Sequence, residues 1–466
     1  MPPNIGNTPM GQIVLTFSLL SSLLLQIPLP AFPSASLVSL SLAIVSLLIW
    51  LYLLGLRGQF WRSDQQLESS PLHFSTDAKF PSSLPSVCAV IPARNEADLL
   101  PTTLRSLLSQ DYPGNFTIIV VDDHSTDGTA QAALETAEEL GQTDRLQVMQ
   151  AAPLPAGWTG KLWAMEQGVQ KAQGLAPDYI LLTDADIQHD SANLRRLMTK
   201  AVQDSLSLVS VMVRLRCDSF WERLLIPAFV FFFAKLYPFR WVNNPQKPTA
   251  AAAGGCILIQ RDALNAIGGI TSIRDALIDD CALAKAVKFR PSFNRNEQNS
   301  KEPPTPDSPL SIPDSPLPYR REISRLSPIW LGLSDRTLSL RPYPSLQTIW
   351  DMVARSAYTQ LNYSPILLVG TLLGMAIVYL VPPISFIVGL ATGYWEIALA
   401  GLLGWLLMTI AYFPTVRFYK CSPLYALALP GVAFLYTLMT IDSAWRHWRG
   451  QGGAWKGRVY ERGSGE

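Results

Sequence analysis

The chain has 466 residues, room for roughly three domain-sized units. Charged residues make up 16%, against about 25% in an ordinary soluble domain, and hydrophobic residues reach 48%. That balance disfavours a wholly soluble enzyme, and Lys+Arg 37 against Asp+Glu 36 leaves no overall field to draw a nucleic-acid partner.

Ile13 to Leu29 is apolar but short and runs into Pro28, Pro30 and Pro33, so it reads as a second span, an interfacial piece or a signal-like region. Its upstream flank lacks the Lys or Arg of a secretory signal. Ser36 to Leu56 is uncharged and long enough to cross a ~30 Å hydrocarbon core as a helix. Arg57 and Arg62 follow it, which by the positive-inside rule places the next domain in the cytosol. Residues 1–60 therefore read as an uncleaved anchor.

Residues 86–288 alternate β-branched runs (Val87–Ile91, Thr117–Val121, Tyr179–Leu182, Leu208–Leu215) with helical stretches such as Leu99–Gln110 and Ala130–Leu140. That alternation predicts an α/β domain with a mostly parallel sheet covered on both faces. Inside it, Leu224–Phe233 is rich in phenylalanine and flanked by Arg223, Lys235 and Arg240. Ten uncharged residues are too few to cross a bilayer, and the aromatic–basic mixture suits a segment lying in the membrane interface. A core helix is the alternative.

Residues 290–326 break the pattern with P-D-S-P-L-S-I-P-D-S-P-L-P among Asn, Ser, Glu and Lys. Such a composition predicts a disordered insertion. Residues 327–362 then close the catalytic region with an interfacial segment. Residues 364–441 hold three clear apolar segments, Ile366–Leu380, Ile397–Tyr412 and Leu424–Ile441, and 442–466 form a basic tail. Three spans would leave that tail outside, so either Pro383–Ala400 contains a fourth crossing or one segment is re-entrant. The whole reads as a multi-pass protein of the cell membrane.

Five scattered cysteines and four histidines form no zinc-like spacing, so any divalent metal must sit on carboxylates. Open α/β sheets bind ligands at the carboxyl ends of their strands, and there the acids gather. The first strand ends in Pro92-Ala93-Arg94-Asn95-Glu96 and the second in Asp122-Asp123-His124-Ser125-Thr126-Asp127-Gly128. Ser125 and Asp127 suit the cap of the following helix, but capping leaves Asp122-Asp123 on an apolar strand unexplained. A later strand ends in Thr183-Asp184-Ala185-Asp186. Positions i and i+2 of extended chain face one side, and two such carboxylates repel unless a cation intervenes. Mg²⁺ or Mn²⁺ suits this oxygen donor set, shared with substrate phosphates. Gly160-Lys161 at a helix start suits an anionic phosphate, and Asp279-Asp280 opens another helix. Dipole complementarity alone would explain that last pair; catalysis would make one acid a general base.

In order, P-A-R-N-E-A, V-D-D-H-S-T-D-G-T, G-K-L-W-A, T-D-A-D, G-G-C followed by R-D-A-L, and I-D-D-C-A-L resemble the motifs of family 2 glycosyltransferases with the GT-A fold. Leu154–Met165, Phe220–Phe229 and the tail W-R-G-Q-G-G-A-W-K-G-R look like the hopene-associated subgroup. The resemblance implies a nucleotide-diphosphate sugar as donor and a lipid or terpenoid acceptor. It implies Arg94, Glu96 and Asp123 at the nucleotide base, and Lys161 near the diphosphate or base. Asp184 would lie at the ribose or metal, Asp186 on the metal, and Asp280 would be the catalytic base. Arg94 stands where many relatives have an aromatic, and no Q-x-x-R-W follows Asp280, which weighs against processive polysaccharide synthesis. One base and no covalent nucleophile would give inversion at the anomeric carbon. A catalytically silent scaffold is the remaining rival.

Overall fold

The computed structural model describes residues 34–69, 84–290, 326–450, 454–455 and 458–459. The apolar stretch Ile13–Leu29, the Pro/Ser-rich stretch 291–325 and most of the basic tail lie outside the described residues.

Eight strands form one sheet: β1 (Val87–Ala93), β2 (Phe116–Asp122), β3 (Leu146–Gln150), β4 (Tyr179–Thr183), β5 (Ile187–Gln188), β6 (Leu208–Arg214), β7 (Cys256–Gln260) and β8 (Ile329–Ser339). Their spatial order is β3-β2-β1-β4-β7-β6-β8-β5. The pairs β1–β2, β2–β3, β1–β4 and β6–β8 are parallel, whereas β7 runs antiparallel to β4 and β6, and β5 to β8. The central strands β1 and β4 are buried at every position, as strands covered on both faces must be. The order reverses at β1, which neighbours β2 on one side and β4 on the other. The crevice outside their carboxyl ends is thus a topological switch point, where such sheets take ligands. β8 comes from beyond residue 325, so the sheet is assembled from chain on both sides of that stretch.

Helices α1 (Ser34–Leu56), α2 (Leu100–Leu108), α3 (Thr129–Glu139), α4 (Gly160–Gln173), α5 (Asn193–Gln203) and α6 (Phe220–Leu236) precede α7 (Phe239–Val242), α8 (Arg261–Ala266) and α9 (Asp279–Lys288). After β8 come α10 (Leu346–Ala354), α11 (Pro365–Met375), α12 (Val381–Thr392), α13 (Trp395–Phe418) and α14 (Leu429–Trp448). Among the described residues, five helical stretches are long and apolar enough to cross a membrane: Ser36–Leu56, Phe220–Val242, Pro365–Thr392, Trp395–Phe418 and Pro423–Trp448. Pro382-Pro383 opens no separate crossing. A π-helical turn at Ala376–Leu380 carries α11 into α12 as one rod, which ends at Gly393 in left-handed backbone before α13. That rod and α13 meet backbone to backbone, because a Cβ at Gly401 would stand 2.5 Å from Phe386 N and 2.6 Å from Pro382 O.

The reading of Leu224–Phe233 as too short to cross a bilayer is overturned, because it lies within the longer apolar helical stretch Phe220–Val242. The segment belongs to the 17-residue helix α6, opened by a capping box in which Ser219 Oγ accepts from Glu222 N and the Glu222 carboxylate accepts from Ser219 N. Phe231 is 1% exposed, with its ring 5.1 Å from Tyr412 and 5.3 Å from Phe60. Phe232 meets Tyr436 at 5.0 Å and Tyr379 at 5.6 Å. Phe231 is thus buried among other helices, while Phe229, Phe232 and Phe233 are half-buried. One buried cluster consequently runs from Leu162 and Met165 of α4, through Ile180 and Leu182 of β4 and Phe231 of α6, to Trp50, Tyr412 and Met439 of the apolar helices.

Candidate active site

At the ends of β1 and β2, the turn 122–129 is built by side chains. Asp122 accepts from Ser125 Oγ, and Ser125 Oγ in turn accepts from Asn95 N at 2.9 Å. Ser125 therefore does not cap α3. Gly128 occupies the N-cap at φ 88°, and Asp127 Oδ1 accepts from Thr129 N at 3.0 Å. Asp122 is committed to the turn, and Asp123 meets Arg94, whose Nη1 donates to the Asp123 carbonyl at 2.5 Å and lies 3.5 Å from Oδ2, while His124 Nδ1 lies 3.3 Å from Oδ1.

Beyond β4, Ala185 is buried while Asp184 and Asp186 take different cations. Lys161 Nζ, in the first turn of α4, lies 3.0 Å from Asp184 Oδ1 and 3.2 Å from Asp279 Oδ2. Burial alone would lower the Lys161 pKa, but Asp184 and Asp279 outweigh it and keep the ammonium charged. Burial raises the Asp184 pKa, with Lys161 opposing and the Asp186 charge adding to the rise. Asp280 lies in the field of Lys161 but is held by backbone: its Oδ2 accepts from Gly254 N at 2.9 Å and its Oδ1 from Cys281 N at 2.7 Å. Burial, and then Asp279, push its pKa up to about 6.

Asp186 and Glu96 share Arg341. Nε donates to Asp186 Oδ2 at 2.6 Å and Nη2 to Glu96 Oε1 at 2.5 Å. Sequence reasoning missed this arginine, which lies 155 residues from Asp186 and 245 from Glu96 in a plain L-R-P-Y run. It arrives because the chain leaving β8 at Ser339 stays beside the end of β4, where Leu340 N donates to the Asp186 carbonyl at 2.8 Å. Glu222 of α6 fixes the same loop by accepting from Tyr343 N at 2.7 Å.

Behind the acids, His189 is 4% exposed, and burial holds its pKa down to about 3, so the ring is neutral. Asn193 Nδ2 lies 3.0 Å from its Nδ1, while its Nε2 lies 3.1 Å from Thr183 Oγ1, which itself donates to Gly255 O at 2.7 Å. The proton therefore sits on Nε2, and the chain ties the end of β4 to the Gly254–Gly255 loop.

The structure thus brings together Arg94 with Asp123, Glu96 and Asp186 through Arg341, and Asp184 with the Asp279–Asp280 pair through Lys161. Among the described residues, no group of three His, Cys, Asp or Glu side chains is placed to hold a metal alone. Asp184 and Asp186 nevertheless suit a hard divalent cation. Both are oxygen donors in a cleft whose field already draws Lys161 and Arg341, and the remaining ligands would be substrate phosphates.

Residues 88–268 match the model of the family described as Glycosyl transferase family 2. With the mixed sheet and its switch point, the chain carries a glycosyltransferase domain of GT-A fold. Among curated proteins it is similar to the beta-monoglucosyldiacylglycerol synthase of Nostoc sp., 28% identical over 156 residues, which is 33% of this chain and 31% of that protein. The Synechocystis sp. protein of the same name is 29% identical over 142 residues, 30% of this chain and 28% of the relative. The matches span less than a third of those relatives' length. Among solved structures, the mannosyltransferase PcManGT from Pyrobaculum calidifontis, in complex with GDP-Man and Mn²⁺, aligns over 88% of this chain and 99% of that one, at 17% identity and a TM-score of 0.45.

Proposed function

We propose that this protein is a membrane-bound, inverting glycosyltransferase that moves a sugar from a nucleotide-diphosphate donor to a lipid or terpenoid acceptor, hopanoid-related in class, at the cytosolic face of the cell membrane. The observation that carries this reading is the single buried cluster joining the donor-side helix α4 to the apolar helices. A site that shares its buried cluster with such helices is suited to an acceptor that stays in the bilayer. The names of the curated relatives, synthases of a glucosylated diacylglycerol, support an acceptor of the same kind.

In this reading Arg94, Glu96 and Asp123 line the nucleotide end of the cleft, and Lys161 and Asp184 the phosphate and ribose. Mg²⁺ or Mn²⁺ on Asp186, with Asp184, supplies neutralising charge for the leaving diphosphate. Lys161 adds a fixed positive charge on the same side. Asp280 takes the acceptor's hydroxyl proton during attack, a task fitted to a carboxylate whose pKa is raised toward neutrality. With one base and no covalent nucleophile, the product anomer is inverted.

Detergent-solubilised full-length protein, incubated with Mn²⁺ or Mg²⁺, a panel of nucleotide sugars and extracted membrane lipids, tests the proposal. The expected product is a lipid bearing one transferred sugar of inverted configuration. A polymer would identify a processive synthase, and no transfer to any lipid would identify a silent scaffold. Asp186→Asn is expected to weaken donor binding in the presence of metal.

A further inference from the structure

We propose that Arg341 is a built-in counter-cation: it holds Asp186 and Glu96 in the donor-free protein, then releases Asp186 and turns to the donor's diphosphate when metal and nucleotide enter. This rests on the glycosyltransferase reading and deepens it.

The argument begins with which partner is free to move. The side chains of Asp186 and Glu96 are 9% and 8% exposed, whereas that of Arg341 is 31% exposed. The carboxylates are part of the packed floor, and the guanidinium lies over them from the cleft side. The backbone beneath Arg341 is fixed at both ends by the Leu340 and Tyr343 amides. Its side chain can therefore swing without the loop moving.

Charge supplies the reason for it to be there. Two buried carboxylates beside Asp184, Asp279 and Asp280 would be strongly unfavourable without compensation. Lys161 serves Asp184 and Asp279, and Arg341 serves the other two. Five acids facing these two cations leave a surplus of negative charge for a divalent ion, but Asp186 Oδ2 is engaged until the arginine lets go. A planar guanidinium with five donors is also the side chain best matched to a diphosphate, so the displaced group finds a new partner in the arriving donor.

Mn²⁺ binding to the detergent-solubilised full chain, read by electron paramagnetic resonance of free Mn²⁺, tests this without reference to turnover. Without nucleotide, Arg341→Gln is expected to bind Mn²⁺ ~10-fold more tightly, because wild-type affinity is reduced by the fraction of molecules in which Asp186 is free. With UDP or GDP present the order should reverse, since the variant lacks the diphosphate partner. Arg341→Lys, which keeps charge but loses the fork, should fall between in both conditions, and it carries the test if the Gln variant does not fold. Unchanged or weaker Mn²⁺ binding by a folded variant without nucleotide would make Arg341 a structural tie and overturn the proposal, leaving the glycosyltransferase reading intact. Absence of Mn²⁺ binding in all three proteins, with or without nucleotide, would overturn both.

Discussion

Gly254 donates its amide hydrogen to Asp280 Oδ2 at 2.9 Å, so the second acid of the pair is held by backbone while Asp279 takes the lysine. The two neighbours thereby acquire different work. Asp279 pairs with the ammonium of Lys161, and Asp280 is held by the amides of Gly254 and Cys281.

Asp280→Asn should leave donor binding near wild type and lower turnover by about 10²–10⁴-fold. The pKa near 6 sets the pH dependence. A base must be ionised to act, so kcat/KM should fall as pH drops through about 6 and level off above it. The Asn variant's residual rate should lack this limb. Because folding raises this pKa above its ordinary 3.8, the folded state holds the proton more tightly, and this group lowers stability as pH rises between those values. Donor binding lost in step with turnover, measured by calorimetry and rate assays, would remove Asp280 from the role of base.

Phe231→Ala should cost about 3–5 kcal/mol, because it empties a fully buried ring site between Phe60 and Tyr412. Thermal unfolding in detergent should shift down, and donor binding and lipid transfer should decline together. Unaltered unfolding with selective loss of lipid transfer would mean that the ring meets the acceptor.

Gly401→Leu should destabilise the α12–α13 hairpin, since the new side chain would begin within 2.6 Å of the facing Pro382 carbonyl. Gly370→Leu is the matched control, because a Cβ there meets nothing within 4 Å. Unfolding temperatures in detergent should separate the two variants; equal values would show that the helices do not pack this way.

Cys421 should be the first of the five cysteines to react with iodoacetamide near neutral pH. A hydrogen bond from Cys217, its Sγ 3.6 Å away, lowers the Cys421 pKa to about 7 against the opposing effect of burial, and Arg223 and Arg214 add to the lowering. Burial instead raises Cys88 to about 11 and Cys256 to about 12. Cys217→Ala should raise the Cys421 pKa and slow its alkylation. Peptide mass spectrometry over a time course reads both effects.

The strands that build the donor side were legible because β1, β2 and β4 are short apolar runs with acids just beyond their ends. β3 escaped notice because an edge strand reading L-Q-V-M-Q is half polar. The antiparallel direction of β7 is set by its neighbours β4 and β6, and sequence carries no mark of it. The burial of Phe231 was hidden for a related reason: aromatic residues beside basic ones describe a membrane interface and a helix–helix contact equally well. Asp184, Asp186 and Lys161 could be named from motif and strand end, whereas Arg341 could not. Nothing local to L-R-P-Y shows that a strand will bring it onto acids far earlier in the chain.

The contact between Tyr436 and α6 bears on how the molecule is made. The Tyr436 hydroxyl donates to the Leu225 carbonyl at 3.0 Å across 211 residues, and Trp50 Nε1 donates to the Val378 carbonyl at 2.8 Å across 328. During synthesis, α6 leaves the ribosome long before the helices that cover its phenylalanines exist. At about 5–20 residues per second, that interval lasts on the order of ten seconds or more. Throughout it a greasy surface on a half-built enzyme must be shielded, by the bilayer or by a chaperone, and depletion of membrane-insertion factors should therefore reduce recovery of the catalytic half as well as of the anchor.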